Sequence, residues 1–163
     1  MALRGYSVER PQKEEAYRRV TEEIRAILEG ETDLIASMAT IACLLHHSLD
    51  YFFWTGFYRV VVPGELRIGP YQGTLGCLRI SFGRGVCGTA ARRRETIVVP
   101  DIHQFPGHIA CDSESKSEIV VPVFNHRDEL IAVLDVDSAE YDAFDEVDQR
   151  HLEEIVTLLR GKK

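Results

Sequence analysis

No C-x-x-C pair and no H-E-x-x-H occurs in this sequence. A zinc site of regular ligand spacing and a helix-borne metalloprotease site therefore lack a sequence basis. No apolar run reaches the length of a bilayer span. The opening Met-Ala-Leu-Arg-Gly-Tyr-Ser-Val-Glu-Arg10 has no apolar core of the kind a signal peptide carries. Internal repeats, low-complexity tracts and long linkers are also missing. Positive charge is scarce: the net charge is -7, and the basic pieces Arg92-Arg93-Arg94 and Arg160-Gly-Lys-Lys163 are short. They read as solvated surface, so neither nucleic acid nor membrane is expected as a partner. The expectation is a cytoplasmic protein, in a compartment that keeps thiols reduced.

What is present fits one ordinary globular domain over 1–163, with 45% apolar and 28% charged residues. Ala16, Tyr17, Val20, Ile24, Ile27 and Leu28 form an apolar stripe that predicts a helix over 11–29, stopped by Gly30. Thr32 or Asp33 caps a second, apolar helix running to about Leu49, so the N-terminal helices occupy 10–49. The first helix is free to pack on its own sheet or on a second subunit, which leaves a homodimer open. Cys43, among Ile41, Leu44 and Leu45, reads as a small core residue.

Aromatic and β-branched residues over 51–62 predict a strand, and Pro63-Gly64 turns it into a return strand from Glu65 to Pro70. A short strand follows over 75–82, then a helix over 85–94 with Cys87 in its first turn, and a strand over 96–99. Strands over 118–124 and 129–137, apolar on both faces, predict a sheet covered on two sides. An amphipathic helix from Asp145 to about 160 ends the pattern. The architecture predicted is α+β: an antiparallel sheet of about six strands across 50–137, with N- and C-terminal helices packed on it.

The segment from Val99 to Asp112 is a loop by its Pro100, Pro106 and Gly107, and it gathers His103, His108, Cys111 and Asp112. Cys77 and Cys87 lie upstream. A helix start beside Gly85 and Gly88 would favour the Cys87 thiolate. Three thiols fit an attacker, a resolver and a relay. The competing reading takes zinc ligands from His103, His108 and the cysteines, but their spacing is irregular; no bound metal is expected.

Carboxylates supply the second signal. A two-residue turn at His126-Arg127 would pair 124 with 129 and set Glu118 opposite Asp135. Asp137 shares the face of Asp135, diagonal to Glu118. Three acids then converge on an apolar hairpin without a Lys or Arg on either strand. At least one should keep its proton well above its ordinary pKa. Such a cluster can also hold an ammonium group. Trp54 and Tyr58 share one face of the first strand, as the wall of an apolar pocket for a small methyl or thioether group. Gly56 is expected to leave room on the opposite face.

The segments Trp54-Thr-Gly-Phe-Tyr58, Leu66-Arg-Ile-Gly-Pro-Tyr-Gln-Gly73, Gly85-Val-Cys-Gly88, Val99 to Asp112 and Ser117-Glu-Ile-Val-Val-Pro122 together resemble the free methionine-(R)-sulfoxide reductases, small enzymes built on a single GAF domain. The resemblance spans about residues 50 to 137. It implies a GAF-like fold and reduction of free L-methionine-(R)-sulfoxide to methionine. In that scheme Cys111 attacks the sulfoxide sulfur, and one of Glu118, Asp135 and Asp137 protonates the oxygen. Cys87 or Cys77 then condenses with the sulfenic acid, and thioredoxin, fed by NADPH, restores the thiols without a bound cofactor. Trp54, Tyr58, Ile109 and Ala110 would line the pocket, and the three acids would hold the substrate ammonium. Thr55, Tyr71 and Thr74-Leu75-Gly76 depart from the family pattern, at positions expected to be loosely held. A non-catalytic GAF module that senses a small ligand is the alternative.

Overall fold

The computed structural model describes residues 9–108 and 111–163. The element order is α1 (Arg10–Ile27), α2 (Leu34–Ser48), β1 (Trp54–Val62), β2 (Glu65–Gln72), β3 (Arg79–Ser81), α3 (Gly85–Arg93), β4 (Ile97–Val99), β5 (Ser117–Phe124), β6 (Leu130–Ser138) and α4 (Glu146–Val156). All six strands join one sheet in the order β3-β2-β1-β6-β5-β4, and every pairing is antiparallel. No helix among the described residues is long and apolar enough to cross a membrane.

Strand alternation divides the core in two. On one face Phe57, Ile119, Val121, Ala132, Leu134 and Val136 meet Tyr17, Val20 and Ile24 of α1, Met38, Ile41 and Leu45 of α2, and Leu152 and Ile155 of α4. The first helix thus packs on its own fold. On the other face Trp54, Tyr58, Val120 and Val133 meet Val86, Cys87, Ala90 and Ala91 of α3 and Ile102 of the following loop. The sheet is covered on both sides, as its doubly apolar strands require. The second layer is thin, and it leaves space for a pocket.

Side-chain caps begin α2 and α4; at α2 the cap is Asp33, one of the two residues expected there. Asp33 accepts from Ala36 N–H at 2.7 Å, and Asp145 forms a capping box with Asp148. Cys43 departs from its reading: it is exposed, with its Sγ 3.9 Å from His47 Nδ1. The buried stripe of α2 is Ser37, Met38, Ile41, Ala42 and Leu45. At about 100° per residue, position 43 turns away from that stripe despite its apolar neighbours.

The β5–β6 register also differs from expectation. Glu118 lies opposite Asp137, and Val120 opposite Asp135, with an irregularity between Val123 and Phe124. Asn125 N–H bonds Glu129 C=O at 3.0 Å, while Asn125 Oδ1 accepts from Arg127 N–H and Glu129 N–H. The connection is therefore wider than a two-residue turn. The slip is two residues, so every side chain keeps its face.

A polar knot ties α1 to α4. Lys13 Nζ lies 2.5 Å from Asp148 Oδ2, and Tyr17 and Tyr51 donate to Asp148 Oδ1 at 2.8 and 2.5 Å. Lys13 and Asp148 are both buried. Asp148→Ala would leave the buried ammonium with the Ala143 carbonyl and the more distant Asp145 carboxylate, and would leave the Tyr17 and Tyr51 hydroxyls unpaired, at a cost of about 3–5 kcal/mol. Urea unfolding should show that loss; a change below about 1 kcal/mol would remove the pair from the account of α1 docking.

Candidate active site

The residues singled out by chemistry meet on the sheet face beneath α3. Across the strands, Trp54 lies opposite Asp137, which lies opposite Glu118. One pleat along, Gly56 lies opposite Asp135 and Asp135 opposite Val120. Cys87 enters from the first turn of α3 and Cys111 from the loop that precedes β5. Trp54, Tyr58, Cys87, Cys111, Glu118, Asp135 and Asp137 line one pocket. Cys111 is exposed and bonded to part-buried Cys77, 34 residues upstream, with a Cα–Cα distance of 5.9 Å. Ile109 and Ala110 lie outside the described residues.

The acid face is buried. Glu118 is 7% exposed and Asp135 5%; Asp137 is part-buried. Burial, with the charges of Asp135 and Asp137 added, pushes the Glu118 carboxyl well above the carboxylate range. Burial likewise raises Asp137, with Asp135 adding to the effect and a Ser115 hydrogen bond opposing it. Asp135 is pushed up to about 6 by burial, an effect that the neighbouring Glu118 and Cys87 side chains partly oppose. Its Oδ1 has no hydrogen-bond partner. The cluster can therefore carry protons and a negative charge at neutral pH, a combination suited to donating a proton beside a bound cation.

Cys87 departs from the local expectation. It is buried, its Sγ stands 3.9 Å from Glu118 Oε1, and burial followed by Asp135 and Glu118 raises its thiol well above the ordinary range. The helix dipole favours a thiolate, but desolvation and two nearby acids outweigh it.

The apolar wall is an aromatic stack. The Trp54 ring lies 5.8 Å from Tyr58 and 5.2 Å from Tyr71, nearly parallel to both. Gly56 leaves room on the face of Trp54, not the opposite one. A Cβ there would stand 2.3 Å from Tyr71 Cβ and 2.7 Å from Trp54 Cη2. Positions 54, 56 and 58 share a face by strand parity. Trp54 Nε1 donates to Thr74 C=O at 2.8 Å, and Thr74 Oγ1 donates to Asp112 Oδ2 at 2.5 Å. Leu75 and Gly76 line the pocket. Tyr71 and Thr74-Leu75-Gly76, expected to be loosely held, therefore shape its wall.

Arg84, Ser115, His108 and Asp112 also line the pocket. Arg84 and Ser115 carry no periodic signal in the sequence; only Arg84's place just before Gly85-Val-Cys-Gly88 marks it. His103 sits on Asp101, Nδ1 to Oδ1 2.9 Å. The grouping that the competing zinc reading would need, His103 and His108 with the cysteines, is not what gathers among the described residues. Cys87, Glu118 and Asp135 do, each offering one atom within 4.8 Å of the others.

Raised acids in the folded state set a pH dependence. The unfolded chain releases these protons near the ordinary values, 3.8 for Asp135 and 4.5 for Glu118, whereas the folded chain holds them longer. Folding binds extra protons in between, so stability is fullest below about pH 4 for this contribution and falls as pH rises through about 6 and beyond. Glu118→Gln should therefore raise stability by roughly 1–3 kcal/mol at about pH 8 and by little at about pH 4. Thermal melts across that range check it; a sharp loss of stability would make the carboxylate structural.

Comparison with known proteins agrees with this geometry. The GAF domain family matches residues 12–160. GAF domain-containing protein A of Dictyostelium discoideum is 47% identical over 147 residues, covering 90% of this chain and 92% of that protein. The free methionine-R-sulfoxide reductase of Escherichia coli is 40% identical over 147 residues, covering 90% and 88%. The crystal structure of free methionine-R-sulfoxide reductase from Neisseria meningitidis in complex with its substrate superposes with a TM-score of 0.86. It is 43% identical and covers 97% of this chain and 92% of that one. With fold, length and sequence in agreement, this chain belongs to the GAF-domain family of free methionine-R-sulfoxide reductases.

Proposed function

We propose that this chain reduces free L-methionine-(R)-sulfoxide to methionine, using its own thiols as the electron source. The observation that carries the reading is the Cys77–Cys111 bond at a pocket whose base is a set of proton-holding acids. The exposed Cys111 sulfur, once reduced, attacks the sulfoxide sulfur. Glu118 gives its proton to the oxygen and takes up the Cys111 thiol proton in its place; the hydroxyl then passes from the substrate sulfur to the Cys111 sulfur as the new sulfur–sulfur bond breaks, so that methionine leaves and Cys111 becomes a sulfenic acid. The Cys77 thiol then attacks the Cys111 sulfur, releasing water and forming the disulfide. An external dithiol, thioredoxin in this reading, takes the oxidation away by exchange. No bound cofactor enters. Cys87, held as a neutral thiol, stays outside the disulfide.

Selectivity follows from three fixed directions around a pyramidal sulfur. The methyl group rests on Trp54, the oxygen faces the acids, and the remaining side faces Cys111. The S epimer would turn its oxygen onto the aromatic wall, where a polar group goes unpaired. The unpartnered Oδ1 of Asp135 suits the ammonium of a free amino acid, which a peptide-bound residue lacks. Arg84 and the open N–H groups of the first turn of α3 suit its carboxylate. Ile109 and Ala110 stay in the proposal as pocket residues adjoining Cys111. The reading extends to a cytoplasmic protein. It keeps a homodimer open.

Turnover with dithiothreitol or thioredoxin is expected for the free R form and not for the S form or a peptide-bound sulfoxide. No turnover with all thiols reduced would sink the reductase reading in favour of a ligand-sensing module. Cys111→Ser is expected to abolish turnover while leaving the thermal transition in place. Cys77→Ser should stop after one turnover, with a trappable sulfenic acid on Cys111. Sustained turnover by Cys111→Ser would remove it as nucleophile.

A further inference from the structure

We propose that Cys87, Glu118 and Asp135 form a binding site for one thiophilic divalent cation, of the zinc and cadmium class, inside the pocket and not as a resident cofactor. The donors are a thiol and two carboxylates, a set such ions accept. One atom of each lies within 4.8 Å of the others. Nitrogen, oxygen or sulfur ligands at about 2.0–2.3 Å in a tetrahedral shell stand roughly 3.5 Å apart. Cys87 Sγ is already 3.9 Å from Glu118 Oε1, so a small side-chain rotation completes the shell. Three protein ligands leave a fourth position for water.

A separate observation points to a cation here. Asp135 is 5% exposed, and its Oδ1 is buried without a hydrogen-bond partner. A carboxylate oxygen in that position has lost water and gained nothing in return. Among the described residues that line the pocket, Arg84 is the only lysine or arginine. The three donors come from α3, β5 and β6, elements packed into one core, so little conformational freedom is lost on binding. Binding replaces the Cys87 thiol proton with a sulfur–metal bond, displaces the proton held on the Glu118 carboxyl, and releases both to solvent; no electrons move. The ion would cover the carboxylates assigned to the substrate. That inhibitory consequence rests on the reductase reading, whereas the site itself does not.

Protein with the Cys77–Cys111 bond formed has Cys43 and Cys87 as its free thiols. Cadmium alone, followed by the ultraviolet thiolate-to-cadmium absorption, reads both. The expected titration saturates at one equivalent, is unchanged in Cys43→Ser and is lost in Cys87→Ser. Asp135→Asn should weaken it by roughly 100-fold, since even outer partners of a metal site are worth about 10–100-fold. That arm decides if Cys87→Ser fails to fold. Absorption that survives in folded Cys87→Ser, that disappears in Cys43→Ser, or that never develops in folded parent protein with Cys87 shown reduced overturns the proposal. An Asp135→Asn affinity equal to the parent's does the same. In turnover assays, zinc at about ten times its dissociation constant should raise the KM for sulfoxide about tenfold and leave kcat unchanged. Absent turnover with an intact cadmium titration would refute the reductase reading alone.

Discussion

Ionising a carboxylate where Glu118, Asp135 and Asp137 sit is costly, and much of the molecule is arranged around that cost. The three acids project from the paired strands β5 and β6 into a layer otherwise built from Trp54, Tyr58, Val120, Val133 and α3. Water cannot solvate them well, and they repel one another, so the set keeps protons that free carboxyls would release. The same surroundings hold the neighbouring Cys87 as a thiol. The fold bears this cost because the opposite face of the same strands is a continuous apolar core under α1, α2 and α4. A site that lowers stability as pH rises is tolerable only on such a frame.

The pocket wall depends on a chain of close contacts that starts from a missing side chain. Gly56 lets the Trp54 indole lie across its own strand against Tyr71. The indole N–H fixes the Thr74 carbonyl, and the Thr74 hydroxyl reaches Asp112, next to Cys111. The segment bearing Cys77 and the loop bearing Cys111 are thus joined by a hydrogen bond as well as by the disulfide. Aromatic packing, loop position and thiol chemistry are coupled, and a substitution at Gly56 would disturb all three.

Much of this was legible in the sequence where the signal is local. The stripes of α1 and α4, the Asp33 cap and the aromatic β1 all announce their elements. The shared face of the acids is legible because strand parity survives a slip of two residues; the register itself is not, since the wider Asn125–Asp128 connection carries no decisive turn signature. Cys43 misleads because apolar neighbours in sequence lie on other sides of a helix. Cys87 misleads because its dipole is local, whereas the acids that oppose it arrive from β5 and β6. The Cys77–Cys111 pairing closes across 34 residues, and spacing does not choose among three thiols.

The central claim is that the acid cluster is partly protonated at rest at neutral pH. Infrared difference spectroscopy reads it directly, through the carbonyl stretch of a protonated carboxylic acid. The account predicts such a band in the reduced protein at about pH 7, diminished in Glu118→Gln and lost only well above the ordinary carboxylate range. A spectrum with ionised carboxylates alone at that pH would contradict it, and would leave the reaction without its proton donor.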